Sequence, residues 1–196
     1  MSHARRGRPR EEGIDDAVRE AVRALLTETG YQRCTIDAVA ARAGVGKAAV
    51  YRRWRSKAEL VFAAVIHPVE LEPPPDTGSL RGDVEAVLDD IESSLDGEEV
   101  KRALPSLLAD VRADPALEAR FAAVFLGREL GYLVAMLDRA VARKELSRRP
   151  EPVLVHAILL GPVLTWLHLF AEPVPPGGLA ASLASPLHAA VVALDV

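Results

Sequence analysis

From Ile14 to Leu26 the apolar side chains fall at 14, 17, 18, 21, 22, 25 and 26. That spacing lines one stripe of an amphipathic α-helix. Ile36, Val39, Ala40 and Ala43 repeat the pattern over a shorter stretch, and Val50 and Trp54 stand one turn apart in the next. Further helices are predicted near 79–95, 98–112, 115–145, 150–170 and 178–194. Pro105 predicts a kink or split in the second of these, because proline withdraws an amide donor from a helix interior. Asp114-Pro115 suits the start of the third, with proline at the first helical position. No alternating Val/Ile/Thr run bounded by a glycine turn occurs, so the pattern predicts an all-α chain.

Two stretches interrupt the helical pattern. HPVELEPPPDTGS at 67–79 carries three consecutive prolines and reads as a connector, and EPVPPGG at 172–178 separates the last two helices. The expected organisation is therefore an arm at 1–10, a head at 11–66, a connector at 67–78 and a body at 79–196.

Charge sharpens that division. The net charge is −4, yet residues 1–60 hold 13 Lys and Arg against 8 Asp and Glu, whereas 61–196 hold 11 against 20. A basic head on an acidic body points the head at a polyanion. At 49% apolar and 27% charged residues the chain has globular rather than disordered composition. The single cysteine, Cys34, allows no internal disulfide, and Met1 is followed by arginines rather than an apolar leader. A reducing, cytoplasmic setting is the expectation.

Within the head the local signals are specific. Gly30 is expected to stop the first helix, and Thr35 to cap the second through its hydroxyl. Gly44 and Val45 supply a tight turn, and a short helix then runs from about Lys47 to Trp54 with Val50 and Trp54 inward. Ser56 and Glu59 form an S-x-x-E capping box for a fourth helix through about Ile66. Two short helices joined by such a turn make a helix-turn-helix. The second helix must then present donors and small side chains to a duplex groove. The candidates are Thr35, Gly46, Lys47, Ala48, Ala49, Tyr51, Arg52, Arg53 and Lys57: basic groups for phosphates, Tyr51 for phosphate or sugar, and alanine methyls for close approach to base edges. The plainer reading of RRWRSK is a solvated face, but the cap, turn and capping box at these spacings favour the DNA-facing one.

Residues 12–66 resemble the N-terminal domain of TetR-type transcriptional regulators, through TIDAVAARAGVGKAAVYRRW and SKAEL. Two departures stand out: Gly46 occupies the cap position where the family usually has Ser or Thr, and Ala48-Ala49 replace small polar residues. The resemblance implies a C-terminal helical domain for effector binding and dimerisation, a homodimer reading a palindromic operator, and most often repression relieved by a small molecule. It assigns the dimer contact to the last two helices, here through Leu159, Leu160, Val163, Leu167, Leu183, Leu187 and Val191. Ahead of the head, Arg5, Arg6, Arg8 and Arg10 with Gly7 and Pro9 form a non-helical cationic arm. It either enters a minor groove or adds non-specific attraction.

The body carries weaker signals. Residues 153–171 contain no charge, a length borderline for a membrane span but equally that of a helix buried between protein layers, and the latter is the expectation. Phe121, Phe125, Tyr132, Met136, His156 and Trp166 either surround a largely apolar ligand or are ordinary core. Of the five histidines none adjoins an acid at metal-ligand spacing, and no P-loop, GxGxxG or GxSxG is present; no enzyme, metal or cofactor is expected. Cys34 is either a redox-sensitive thiol favoured by the helix start beside it or a small buried residue, the second being expected. Two further readings are a DNA-binding dimer without an effector, and a helical adaptor or enzyme with a degenerate head.

Overall fold

A computed structural model describes residues 8–65, 75–170 and 172–195. Among them there is helix and no strand. The helices are α1 (Arg8–Arg33), α2 (Ile36–Ala43), α3 (Lys47–Arg53), α4 (Lys57–Val65), α5 (Leu80–Leu95), α6 (Glu98–Ala113) and α7 (Pro115–Phe121). A π-helical turn, Ala122–Leu126, leads into α8 (Gly127–Ala142), and α9 (Pro152–Leu169) and α10 (Leu179–Ala193) complete the chain.

These elements gather into two compact units, one holding α1 to α4 with Glu98–Glu118, the other α5 with the chain from Ala119 onward. α6 joins the first unit by packing on α1 and α4. The physical reason is that α6 carries its own apolar stripe, with Val100, Ala103, Leu104, Leu107 and Val111 all buried. Pro105 neither splits it nor ends it, since residue 105 lies on the exposed side of an unbroken helix.

In the first unit Val18, Val22, Leu26, Val39, Val50, Leu60 and Val61 are fully buried. Truncating one of the leucines to alanine costs about 2–5 kcal/mol. Gly30 breaks α1 as expected, with φ 75° and ψ 174°, after which the chain makes one more turn to Arg33. The start of α1 corrects the arm: Arg8, Pro9 and Arg10 are already helical, because proline fits the first turn, where its missing amide has no partner to lose.

In the second unit α5 packs on α8, α9 and α10, and α9 also touches α8 and α10. The chain enters α5 through a polar latch. Asp83, 1% exposed, accepts hydrogen bonds from the Thr77 amide and hydroxyl, both at 2.8 Å, and from Arg143 Nη2 at 3.0 Å. Arg139 lies 3.6 Å away, and both arginines also pair with Asp76. Burial alone raises a carboxyl's pKa, but these donors and cations outweigh it and hold Asp83 below the ordinary range. Glu92 caps α10 in a similar way, accepting from the amides of Leu179 at 3.1 Å and Ala180 at 2.7 Å.

Among the described residues α9 is the one helix long and apolar enough to cross a membrane. Its place against α5, α8 and α10 makes it a packing helix of the second unit.

Candidate nucleic-acid interface and ligand cavity

The local chemistry of the helix-turn-helix follows the sequence closely. Thr35 Oγ1 accepts from the Ala38 amide at 3.2 Å and caps α2. Gly44 ends α2 with φ 65° and ψ 26°, the left-handed conformation that a side chain disfavours, and its amide bonds back onto Ala40 and Ala41. Val45 follows, half-buried in the turn. Gly46 caps α3 with extended backbone and no side-chain bond. At the next start, the Glu59 amide donates to Ser56 Oγ at 3.1 Å, while Glu59 Oε2 accepts from the Arg55 amide at 2.7 Å. The capping box is therefore closed, with the return bond landing one residue earlier than in the usual form.

Val50 is 0% exposed and pins α3 to the core, while Trp54, expected inward, is half-buried at the helix end. With that face fixed, Gly46, Lys47, Ala48, Tyr51 and Arg52 turn to solvent, Ala49 is half-buried, and Thr35 is exposed at the start of α2. This strip brings Lys47, Tyr51 and Arg52 together with the small residues Gly46 and Ala48.

Three basic side chains behave differently from the expectation of an open cationic face. Arg53, 19% exposed, lies along α1 with Nε 2.7 Å from Asp15 Oδ1, so it braces α3 rather than reaching outward. Lys57 sits 3.8 Å above the Tyr31 ring and donates to the Tyr31 carbonyl at 3.3 Å. Lys47 reaches Asp37 at 2.6 Å, but both side chains are more than half exposed, and solvent screening leaves such a pair weak. It can yield to a phosphate. Arg52 is the exposed arginine of the strip that makes no ion pair with a described residue. Asp37, an acid beside this surface, was not foreseen, because its approach to Lys47 depends on the angle between α2 and α3. Arg5 and Arg6 lie outside the described residues; Arg8 and Arg10 belong to α1.

Cys34 is fully buried, and burial pushes its thiol up to about 11 despite the opposing charge of Lys57. It is a packing residue. Tyr31 is also raised, by burial first and then by its hydrogen bond to Asp110 Oδ2 at 2.7 Å.

The six aromatic, Met and His residues singled out in the body do not converge on one cavity. Tyr132 and His156 line a cavity of about 10 Å³ with Asp90, Glu129, Ile91 and Leu159. Tyr132 and Met136 line a neighbouring one of about 30 Å³ with Pro75, Asp83 and Arg139. Phe121 and Phe125 instead pack on each other at the π-helical turn, their rings tilted by 55° with centroids 5.0 Å apart. Trp166 packs edge-on against Phe170 at 6.0 Å. The lining is also less charge-free than expected, since two carboxylates face the first cavity. Burial lowers the pKa of His156, with Glu129 opposing, so its imidazole is neutral at neutral pH.

The residues assigned to a dimer contact need the same correction. Leu159, Val163 and Val191 are 0% exposed and Leu167 9%, all within one copy's own core; Leu160, Leu183 and Leu187 are half-buried. The face left uncovered on α9 is the opposite one, with Val153 and Leu154 about half exposed and Ala157 and Leu169 beside them. On α10 it is Ala181, Ser185, Ala189 and Val192.

Comparison with known proteins agrees with this architecture. Residues 18–64 match the family of bacterial regulatory proteins of the tetR type, and residues 74–191 match the tetracyclin repressor-like C-terminal domain. An uncharacterized HTH-type transcriptional regulator of Mycobacterium tuberculosis, Rv1556, is 40% identical over 124 residues, 63% of this chain and 60% of that protein. The chain thus spans about 60% of the length of such relatives. The DNA-binding transcriptional repressor TetR of Mycobacteroides abscessus is 31% identical over 68% of this chain and 71% of its own. Among solved structures, the TetR family transcription regulator SCO0332 superposes with a TM-score of 0.67 at 25% identity, covering 89% of this chain and 96% of that one. Known relatives of this kind are transcriptional regulators and not enzymes. With a capped and exposed α3, an all-helical body and family matches over both, the chain belongs to the TetR family of bacterial transcriptional regulators.

Proposed function

We propose that this chain acts as a homodimeric transcriptional repressor that grips palindromic operator DNA with α3 and releases it when a small molecule enters the second unit. The observation that carries the DNA-binding part is the exposed strip Gly46, Lys47, Ala48, Tyr51 and Arg52, set on a helix whose other side is pinned by Val50. Small residues at the helix start allow close approach to base edges, and the basic and phenolic groups after them suit phosphates. Arg5 and Arg6, with Arg8 and Arg10 in the first turn of α1, add positive charge ahead of this surface.

Dimerisation is supported by the charge-free face of α9 and the small residues of α10, which a single copy leaves in water. A two-fold pair presents two recognition helices to half-sites about one helical turn apart or a multiple of it. Repression is supported by the likeness to the Mycobacteroides repressor. A second reading, a DNA-binding dimer with no small-molecule effector, is favoured by the cavities of about 10 and 30 Å³, which hold roughly one water each.

Fluorescence anisotropy with DNA from upstream of the chain's own gene tests the central claim. Selective binding at moderate salt, with a steep salt dependence, is expected. Equal affinity for scrambled DNA overturns it. Sedimentation of the free protein as a monomer at micromolar concentration overturns the dimer.

A further inference from the structure

We infer that Asp37 is a specificity residue of the DNA-facing surface: it holds Lys47 in an ion pair that a well-fitted duplex replaces and a loosely held one does not. The inference rests on the reading of α3 as the helix that enters the groove. Ile36, Val39 and Ala40 bury one side of α2, which leaves Asp37 on the open side. Val50 does the same for α3 and leaves Lys47 open. The turn at Gly44, with its φ of 65°, sets the angle at which the two helices meet. Across that angle Lys47 Nζ donates to Asp37 Oδ2 at 2.6 Å. The side chains are 55% and 63% exposed, so the pair lies on the surface rather than in the core. The hydrogen bond to Asp37 also raises the Lys47 pKa.

Counted with Asp37, Lys47 and Arg52 present a net charge of one rather than two. Sequence-independent DNA binding depends on neutralising phosphates and on the counterions they then shed. A duplex that approaches loosely leaves water between Lys47 and its phosphates, and a carboxylate already at contact distance keeps the cation. A duplex seated in register brings a phosphate or a guanine edge to contact distance as well. An exposed pair is weak enough to exchange at that point, and Lys47 changes partner. Asp37 thus removes one phosphate contact from wrong sequences and little from the right one. The discrimination comes from an unfavourable group built beside the favourable ones. Asp37 also stands in the first turn of α2, where a negative charge favours the helix. That role alone predicts a loss of stability on neutralisation and no gain in DNA affinity, so the two are separable.

The test compares Asp37→Asn, Asp37→Glu, Lys47→Met and the double variant Asp37→Asn/Lys47→Met of the full chain by fluorescence anisotropy across a salt series. The probes are a short duplex of random sequence and a duplex of the same length enriched from a random pool by the wild-type protein. Asp37→Asn is expected to tighten the random duplex about three- to tenfold and to steepen its salt slope by about one for each head engaged. The enriched duplex should gain less than about twofold, so the ratio of the two affinities falls. Asp37→Glu keeps the carboxylate and should hold the wild-type ratio. In the Lys47→Met background the gain from Asp37→Asn should fall below about twofold, since the cation it would release is gone. Thermal melts establish that each variant is folded. Unchanged affinity for random DNA, an equal gain on both duplexes, weaker binding of either duplex, or a full gain without Lys47 overturns the inference. A pool that yields no enriched sequence fells the sequence-specific reading of α3 and the discrimination with it, whereas the gain on random DNA reports the release of Lys47 on its own.

Discussion

Replacing Asp83 by alanine probes the latch at the entrance to α5. The side chain is 1% exposed and collects two bonds from Thr77 at 2.8 Å and one from Arg143 at 3.0 Å. Removing one member of a buried ion pair typically costs about 3–5 kcal/mol. Arg139 and Arg143 are, however, 32% and 24% exposed, and Arg143 keeps Asp76 and Glu145 as partners, so the lower end applies. A loss of about 3 kcal/mol lowers the melting temperature by roughly 6–12 °C in a chain of this size. Urea denaturation of Asp83→Ala, Arg143→Ala and the double variant measures the coupling, expected at about 1–3 kcal/mol. The pH dependence has a definite sign. Because the folded carboxyl titrates below its unfolded value, its contribution is full above the ordinary Asp range and fades as pH falls through the folded pKa. The wild-type advantage over Asp83→Ala should therefore shrink toward acid. Zero coupling, or an advantage that grows toward acid, refutes the reasoning.

Arg52→Ala should weaken binding to all DNA sequences about evenly and reduce the salt slope by about one, as read by anisotropy across a salt series. Arg53→Ala should act differently, lowering the melting temperature through loss of its Asp15 partner by about 1 kcal/mol or less. Gly46→Ser should fold normally, since a Cβ there meets nothing within 4 Å and the backbone is already extended. It should gain a few tenths of a kcal/mol as a better cap, seen in thermal melts, and bind DNA more tightly through the new hydroxyl. The Cys34 thiol should resist an aromatic disulfide reagent at pH 8 in native protein and react completely in denaturant. Rapid native labelling contradicts its burial.

What was legible in the sequence was chiefly what is local. Thr35, Gly44 and the Ser56–Glu59 pair act on backbone within four residues of themselves, so spacing alone identified them. The direction of Arg53 was not legible, because Asp15 lies far away along α1 and only the packing of α3 brings the two together. The stripe of α6 announced a buried face but not what it is buried against. On α9 the difficulty was of another kind: a helix apolar on every side has no polar face to mark its outside, so Leu159 and Val163 looked as available to a second copy as Val153 and Leu154 are. The six candidate pocket residues shared a composition rather than a location, and Asp90 and Glu129 escaped notice because periodicity says nothing of which acids a fold turns inward.

Tyr31 ties together parts of the chain that are made at different times. Its phenol bonds to Asp110, 79 residues later, while its ring and carbonyl hold Lys57 at the start of the helix after α3. During synthesis the first 65 residues leave the ribosome before their covering helix exists, with the apolar side of α1 and α4 still waiting for Leu104, Leu107 and Val111. A fragment cut after α4 would carry the whole of α3 and its exposed face, yet it would have to hold them without the strap that arrives from the middle of the polypeptide.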